Sequence, residues 1–284
     1  MLLFKKVDEL QEYLSKQSAK GLQIGYTPTM GALHQGHASL VQKAKAENDI
    51  SVCSIFVNPT QFNDPADLEK YPRTEAADID LLAQSGNDVV FYPSVEEVYP
   101  KDLVIPTFDF GPIDKVMEGF YRPGHFDGVV EVVYRLLDIT KPDRLYMGQK
   151  DFQQFTLIYH MLQQMKSKTK LVVCPIIREE DGLALSSRNV RLTPENRAKA
   201  PIISKTLRSL NDWLQKDSVR KVKAKAIALL GEVPDFKPEY LDTVDGYTLQ
   251  PISDYEESPY IVACAAIWAG DIRLIDNEIL KKID

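Results

Sequence analysis

The sequence predicts an α/β fold, a parallel sheet wrapped by helices, followed by a smaller α+β domain. Apolar strand-like runs alternate with segments of helical period from Leu22 to Ile177, the pattern of strand–helix–strand units. The run Ile50–Val57 is apolar at nearly every position, as expected of a strand covered on both faces. After Arg188 the pattern changes to helices and then strands, which predicts the second domain.

Leu22–Tyr26 reads as the first strand, and Ala38–Glu47 as a helix with Leu40, Val41 and Ala44 on one face. Ile50–Val57 is the next strand, and Asn58-Pro59 ends it because proline cannot continue a central ladder. Asp67–Ser85 has a helical period through Leu68, Ile79, Leu81 and Leu82. Asp88–Tyr92 is a strand, Val129–Ile139 a helix, Arg144–Met147 a short strand, Phe152–Met165 a helix and Leu171–Ile177 a strand. Pro194–Leu214 and Val219–Leu230 each read as one helix, and Tyr240–Val244 and Tyr260–Trp268 as strands. The division falls between Ile177 and Thr193, giving a larger domain over 1–180 and a smaller one over 181–284.

The chain has 284 residues, a net charge of −7 and no basic tail, which argues against nucleic acid as a partner. Cys53, Cys174 and Cys264 lack CxxC spacing and sit among apolar residues. They read as buried free thiols in a reducing compartment rather than metal ligands. Met1–Tyr13 has no signal-peptide core, and the longest apolar run, Tyr260–Ala269, is too short to span a bilayer. A cytoplasmic protein with no membrane partner is expected.

The most informative stretch is Pro28-Thr29-Met30-Gly31-Ala32-Leu33-His34-Gln35-Gly36-His37. It follows a strand and opens a helix, and its glycines permit a tight turn and close approach to a ligand. Helix-start amides and the helix dipole favour a phosphate there, and imidazoles can donate to phosphate oxygens. A nucleoside triphosphate is the ligand this implies. Asn58 and Gln61, in Phe56-Val57-Asn58-Pro59-Thr60-Gln61-Phe62, stand at the same carboxyl edge and suit a ligand with hydroxyls and a carboxylate.

Glu118–Gly128 gathers Arg122, His125 and Asp127 around three glycines and reads as a long functional loop. Gly148-Gln149-Lys150-Asp151 repeats the strand–glycine–helix pattern, with Lys150 a cation for phosphate and Asp151 a helix cap or ribose contact. Gln153 or Gln154 faces the cleft expected between the two domains. Ser186-Ser187-Arg188 places two hydroxyls and a guanidinium in succession, a phosphate grip. A serine nucleophile is not expected, because no GxSxG elbow is present.

These motifs, with Tyr71-Pro72-Arg73-Thr74 and Asp181–Asn189, in this order resemble those of the pantothenate synthetase (pantoate–β-alanine ligase) family. The match runs from Gly25 to Asn189 and more loosely to Ala269–Asn277; Gln149 stands where Glu is also common. The resemblance implies a Rossmann-like domain of the nucleotidyltransferase (HxGH) type, a smaller C-terminal lid domain and a homodimer. It implies condensation of (R)-pantoate with β-alanine through a pantoyl adenylate, with ATP consumed and AMP and pyrophosphate released. Mg²⁺ is expected to bind mainly through phosphates, with no metal site made by the protein alone.

By the same resemblance ATP is held by Met30, Gly31, Ala32, Leu33, His34, Gln35, Gly36, His37, Gly148, Gln149, Lys150, Asp151, Ile177, Leu185, Ser186, Ser187 and Arg188. Gln61 and Gln154 hold pantoate, and Gln61 also touches β-alanine. His37 is the expected proton donor, with His34, Lys150 and Arg188 as its catalytic partners. Two rivals are another HxGH-type nucleotidyltransferase with a different acceptor, and a non-catalytic nucleotide-binding regulator. A regulator has no need of Lys150 or either histidine.

Overall fold

The apolar runs become strands, and the segments of helical period become the helices that cover them. The computed structural model describes residues 1–62 and 65–283, and of residues 65 and 67 the backbone alone. In chain order the elements are β1 (Leu2–Phe4), α1 (Val7–Ser18), β2 (Ile24–Thr29), α2 (Gln35–Glu47), β3 (Ile50–Ile55), α3 (Pro65–Lys70), α4 (Glu75–Gln84), β4 (Val89–Phe91), α5 (Val95–Val98), α6 (Met117–Tyr121), α7 (His125–Thr140), β5 (Arg144–Gly148), α8 (Phe152–Gln164), β6 (Lys170–Cys174), α9 (Pro194–Lys199), α10 (Ile202–Leu214), α11 (Val219–Gly231), β7 (Phe236–Asp245), β8 (Tyr260–Ala269) and β9 (Ile272–Lys282).

Six strands form a parallel sheet in the order β1-β4-β3-β2-β5-β6. Strand order therefore reverses at β2, which is followed by β3 on one side and flanked by β5 on the other. Ligands of open α/β sheets bind at such a reversal, beyond the carboxyl ends of the strands. Here β2 pairs with β5 only at Gly25–Arg144 and Tyr26–Leu145, while it stays paired with β3 as far as Thr29–Ile55. Past Tyr26 the two strands separate. That frees Pro28, which has no N–H, from any need to donate toward β5, so the strand runs on to Thr29 rather than stopping at Tyr26 as the sequence suggested.

The second sheet is antiparallel, β7-β8-β9. Its buried residues, among them Leu241, Ala263, Ala265 and Ile267, share one core with Ile203, Leu207 and Leu210 of α10 and Val222, Ala226 and Leu230 of α11. In the first sheet Val41 of α2 and Leu82 of α4 pack on Cys53, Ile55 and Val90.

Compactness divides the chain into Met1–Phe110, Arg122–Gly148 and Gln154–Pro175 as one unit, and Gly111–Tyr121, Gln149–Gln153 and Ile176–Asp284 as the other. The second unit thus begins at Ile176, a few residues before the expected boundary at 180, and two further short segments inside the expected 1–180 domain belong with it. Hydrogen bonds within that unit explain both. Gln153 Nε2 donates to the carbonyls of Ile113 and Val116 at 2.7 and 2.8 Å. Asn277 Nδ2 donates to the carbonyls of Gln149 and Lys150, each at 2.9 Å.

Several elements differ from expectation. Asp67–Ser85 is two helices, because Tyr71 precedes Pro72 and a residue before proline avoids helical backbone. Pro194–Leu214 is also two, broken at Pro201, which cannot donate to the helical ladder. The Glu118–Gly128 segment is not one long loop: α6 ends at Tyr121 and α7 begins at His125. The strand Leu171–Ile177 is Lys170–Cys174, ended by Pro175. The sequence pattern leaves the strands β1 and β9 unmarked; β9 buries Asp276 and Asn277, which hide its alternation.

Candidate active site

The loop after β2 places two imidazoles at the start of α2. His34 is the N-cap, and its Nδ1 accepts from the amide of Gly36 at 3.1 Å. His37 Nδ1 accepts from the amide of His34 at 3.3 Å. The two rings lie 4.1 Å apart between centroids. An imidazole whose Nδ1 accepts a hydrogen bond carries its proton on Nε2 when neutral. The backbone therefore selects the tautomer in which each ring offers an Nε2–H donor. The His34 and Gly36 amides at this helix start are spent on the two rings.

Upstream of the histidines the loop is tightly turned. Gly31 has φ +80° and Ala32 φ +48°. Both conformations are left-handed, and the second is strained for a residue with a Cβ. Met30 is half-buried, and its Sδ accepts from Gln61 Nε2 at 2.9 Å.

Gln61 is set by a buried scaffold. Asn58, 1% exposed, donates to the carbonyl of Gly128 at 3.0 Å and to Gln61 Oε1 at 3.3 Å. Its own Oδ1 accepts from Tyr99 OH at 3.0 Å and from Thr60. A Cβ on Gly128 would fall 2.4 Å from the carbonyl oxygen of Thr60, so α7 can approach this turn only with glycine there. His125 Nδ1 lies 2.8 Å from the carbonyl oxygen of Gln61, and its Nε2 lies 3.0 Å from Arg122. Asn58, Gly128 and His125, the last set against Arg122, thus hold Gln61 from behind. Burial pushes the Tyr99 hydroxyl up to about 12, so it stays a donor to Asn58 at neutral pH.

In the second unit Lys150, Ala184, Ser186, Asn189, Leu274 and Asp276 line one small cavity. Ile177 and Leu185 are brought together by the Leu185 N–H donating to the Ile177 carbonyl at 3.0 Å. Ser186 Oγ accepts from the Arg188 amide at 3.3 Å, and Ser187 and Arg188 are half-buried beside it. Arg178 makes a two-pronged bond to Asp276, at 2.7 and 3.0 Å. Asn277, besides its bonds to the Gln149 and Lys150 carbonyls, accepts from Gln149 Nε2 at 3.1 Å. Asp151 and Gln35 are exposed.

Gln153 and Gln154 differ in how far their amides are satisfied within the protein. Gln153 is 4% exposed, its amide donates twice, and its Oε1 accepts from the Glu118 amide at 2.9 Å. Gln154 is half-buried. Asn277, Arg178 and Asp78 were not singled out by sequence reasoning. Only the looser match over Ala269–Asn277 pointed at the first.

All three cysteines are free and buried. Burial pushes the Cys53 thiol up to about 12 and the Cys174 thiol up to about 11, which suits inert packing residues. Among the described residues no group of three or more His, Cys, Asp or Glu side chains is placed to hold a metal. None of the described helices is long and apolar enough to cross a membrane.

A parallel α/β sheet with a reversal at β2 thus carries a two-histidine helix cap at that reversal, the edge where sheets of this class bind ligands. A family model described as pantoate-beta-alanine ligase matches residues 2–279. The pantothenate synthetase of Bacteroides thetaiotaomicron is 47% identical over 283 residues, covering 100% of both chains. That of Porphyromonas gingivalis W83 is 47% identical over 277 residues, 98% of each. The crystal structure of pantothenate synthetase from Thermus thermophilus superposes with a TM-score of 0.92 at 39% identity, covering 99% of this chain and 100% of that one. A pantoate-beta-alanine ligase from Francisella tularensis, complexed with beta-gamma ATP and beta-alanine, has a TM-score of 0.81 at 36% identity, covering 99% and 98%. The chain belongs to the pantoate–β-alanine ligase family. It is accordingly an enzyme, a ligase of pantoate and β-alanine.

Proposed function

We propose that the chain makes pantothenate in two steps, activating pantoate with ATP as a pantoyl adenylate and then transferring the pantoyl group to β-alanine. The observation that carries this reading is the pair of Nε2–H donors fixed by the His34/His37 cap. They suit the negative charge that builds as pyrophosphate leaves. The Francisella relative bound to an ATP analogue and β-alanine adds support.

In the first step a pantoate carboxylate oxygen attacks the α-phosphorus, and the bond to the β-phosphate breaks. A carboxylate of this kind has a pKa of about 4 and is already ionised, so no general base is needed. Catalysis is then positioning and charge neutralisation. The nucleotide is assigned to Met30–His37, Gly148–Asp151, Ile177 and Leu185–Arg188, with His37, His34, Lys150 and Arg188 on the phosphates. Mg²⁺ would ride on the nucleotide phosphates, where it would neutralise charge. Gln61 and Gln154 hold pantoate.

In the second step the neutral amine of β-alanine, beside Gln61, attacks the acyl carbon, and AMP leaves. Its ammonium form has a pKa near 10, so it must lose a proton first. Function as a homodimer in the cytoplasm completes the reading.

The test is pyrophosphate and AMP release from ATP and Mg²⁺, with pantoate and β-alanine supplied singly and together. Pyrophosphate stoichiometric with enzyme on pantoate alone, then steady AMP once β-alanine is added, is expected. No pantoate-dependent pyrophosphate would move the assignment to a different acceptor on this fold.

A further inference from the structure

We propose that Asp78 is a positioning residue whose buried carboxylate holds the Gly31–Leu33 backbone in the left-handed turn that presents the His34/His37 cap. The proposal rests on the reading that this loop receives the nucleotide. Asp78 lies in α4, away in sequence from the loop, and is 2% exposed. Its Oδ2 accepts from the Ala32 amide at 2.9 Å, and its Oδ1 accepts from the Leu33 amide at 2.8 Å. Thr74 Oγ1 donates to Oδ1 at 2.9 Å and fixes the rotation of the carboxylate.

Three donors on two oxygens satisfy a charge that burial would otherwise penalise. The fit is close. A Cβ on Gly31 would fall 3.0 Å from Asp78 Oδ2 and 3.2 Å from Ile55 Cγ2. Ala32 carries a Cβ at φ +48° and needs something to keep it there. The two charge-assisted bonds from consecutive amides supply that hold. They also commit the Ala32 and Leu33 amides to the protein, so this loop meets phosphate through its histidines and not through those two N–H groups.

Asp78→Asn replaces one acceptor by an NH₂ that faces an amide donor. Thr74→Val, a milder change, leaves the carboxylate but removes the bond that orients it. Both variants are compared with the parent enzyme by calorimetric ATP and pantoate binding, single-turnover pyrophosphate release, and hydrogen exchange of the loop amides. For Asp78→Asn we expect faster exchange at Ala32 and Leu33, unchanged protection in β2 and β3, and a loss of about tenfold or more in ATP affinity or adenylation rate. Pantoate affinity falls by less than ATP affinity, since the Asn58 and Gly128 contacts behind Gln61 are not touched and only its bond to Met30 adjoins the turn. Thr74→Val shifts the same readouts in the same direction by less.

Two results would overturn the proposal. One is loosened Ala32 and Leu33 amides with unchanged ATP binding and adenylation. The other is equal loss of ATP and pantoate binding together with lowered protection throughout the sheet in both variants. If the parent enzyme releases no pyrophosphate, the functional reading fails separately. The exchange result alone then decides whether Asp78 holds the loop.

Discussion

Two ring nitrogens decide what His34 and His37 can do. Because each Nδ1 accepts a backbone amide, each Nε2 bears the donor proton. The roles of cap and phosphate donor can be separated by substitution. His37→Asn keeps an acceptor near the His34 amide, whereas His37→Ala removes both functions. Both variants should fold, and both should lose at least ~10²-fold in adenylation, the scale of a lost transition-state donor. His37→Asn should keep more of the helix start, seen as the higher melting temperature of the two. Near-parent turnover by His37→Asn would remove the ring from the catalytic list. The two imidazoles and their place between a strand and a helix were legible in the sequence. The tautomer was not, because it depends on which amide faces which nitrogen. Asp78 was not legible either: in the sequence it is one acid among several on a helix, and only burial under the loop distinguishes it.

At the scale of elements, strands were easier to read than breaks. Ile50–Ile55 is buried at every position, so its apolar run was unmistakable. Helical period, by contrast, continues across Pro72 and Pro201, where the backbone turns. The strand β9 was invisible because Asp276 and Asn277 are buried for their hydrogen bonds and not for their hydrophobicity. Asp88 ties three elements together. It accepts from Lys45 of α2 at 2.8 and 2.9 Å and from the amide and hydroxyl of Ser51 in β3 at 2.8 and 3.0 Å, next to β4. Burial works against its charge, but the bonds from Lys45 and Ser51 outweigh it and hold the carboxyl below its ordinary range. A depressed native pKa contributes stability above the unfolded value, and that contribution is lost as pH falls through the native one. Asp88→Asn should therefore cost about 1 kcal/mol or more at pH 7. The gap between variant and parent should close below pH ~4, where the parent carboxylate also gains its proton. Denaturant unfolding across that pH range checks it, and a gap that stays constant would contradict the linkage.

Over the whole molecule, the order β1-β4-β3-β2-β5-β6 explains why motifs scattered through the sequence include so many loops at one edge. Every strand of that sheet runs the same way, so Met30–His37 and Asn58–Gln61 both follow carboxyl ends. Sequence order alone suggested this edge, but not the separation of β2 from β5 that opens it. The change of pattern after Arg188 made a second unit legible, though that unit begins at Ile176. The transfer of Gln149–Gln153 to the C-terminal unit was not, since it rests on side-chain bonds from Asn277 and on those of Gln153 itself. The central claim is that pantoate is activated as an adenylate, and oxygen tracing tests it most directly. The enzyme is given pantoate labelled with ¹⁸O in its carboxylate, together with β-alanine, ATP and Mg²⁺, and the products are weighed by mass spectrometry. Attack of the carboxylate on the α-phosphorus followed by departure of AMP must leave one labelled oxygen in AMP and none in pyrophosphate. Unlabelled AMP, with the label in pyrophosphate or in inorganic phosphate, would contradict the adenylate.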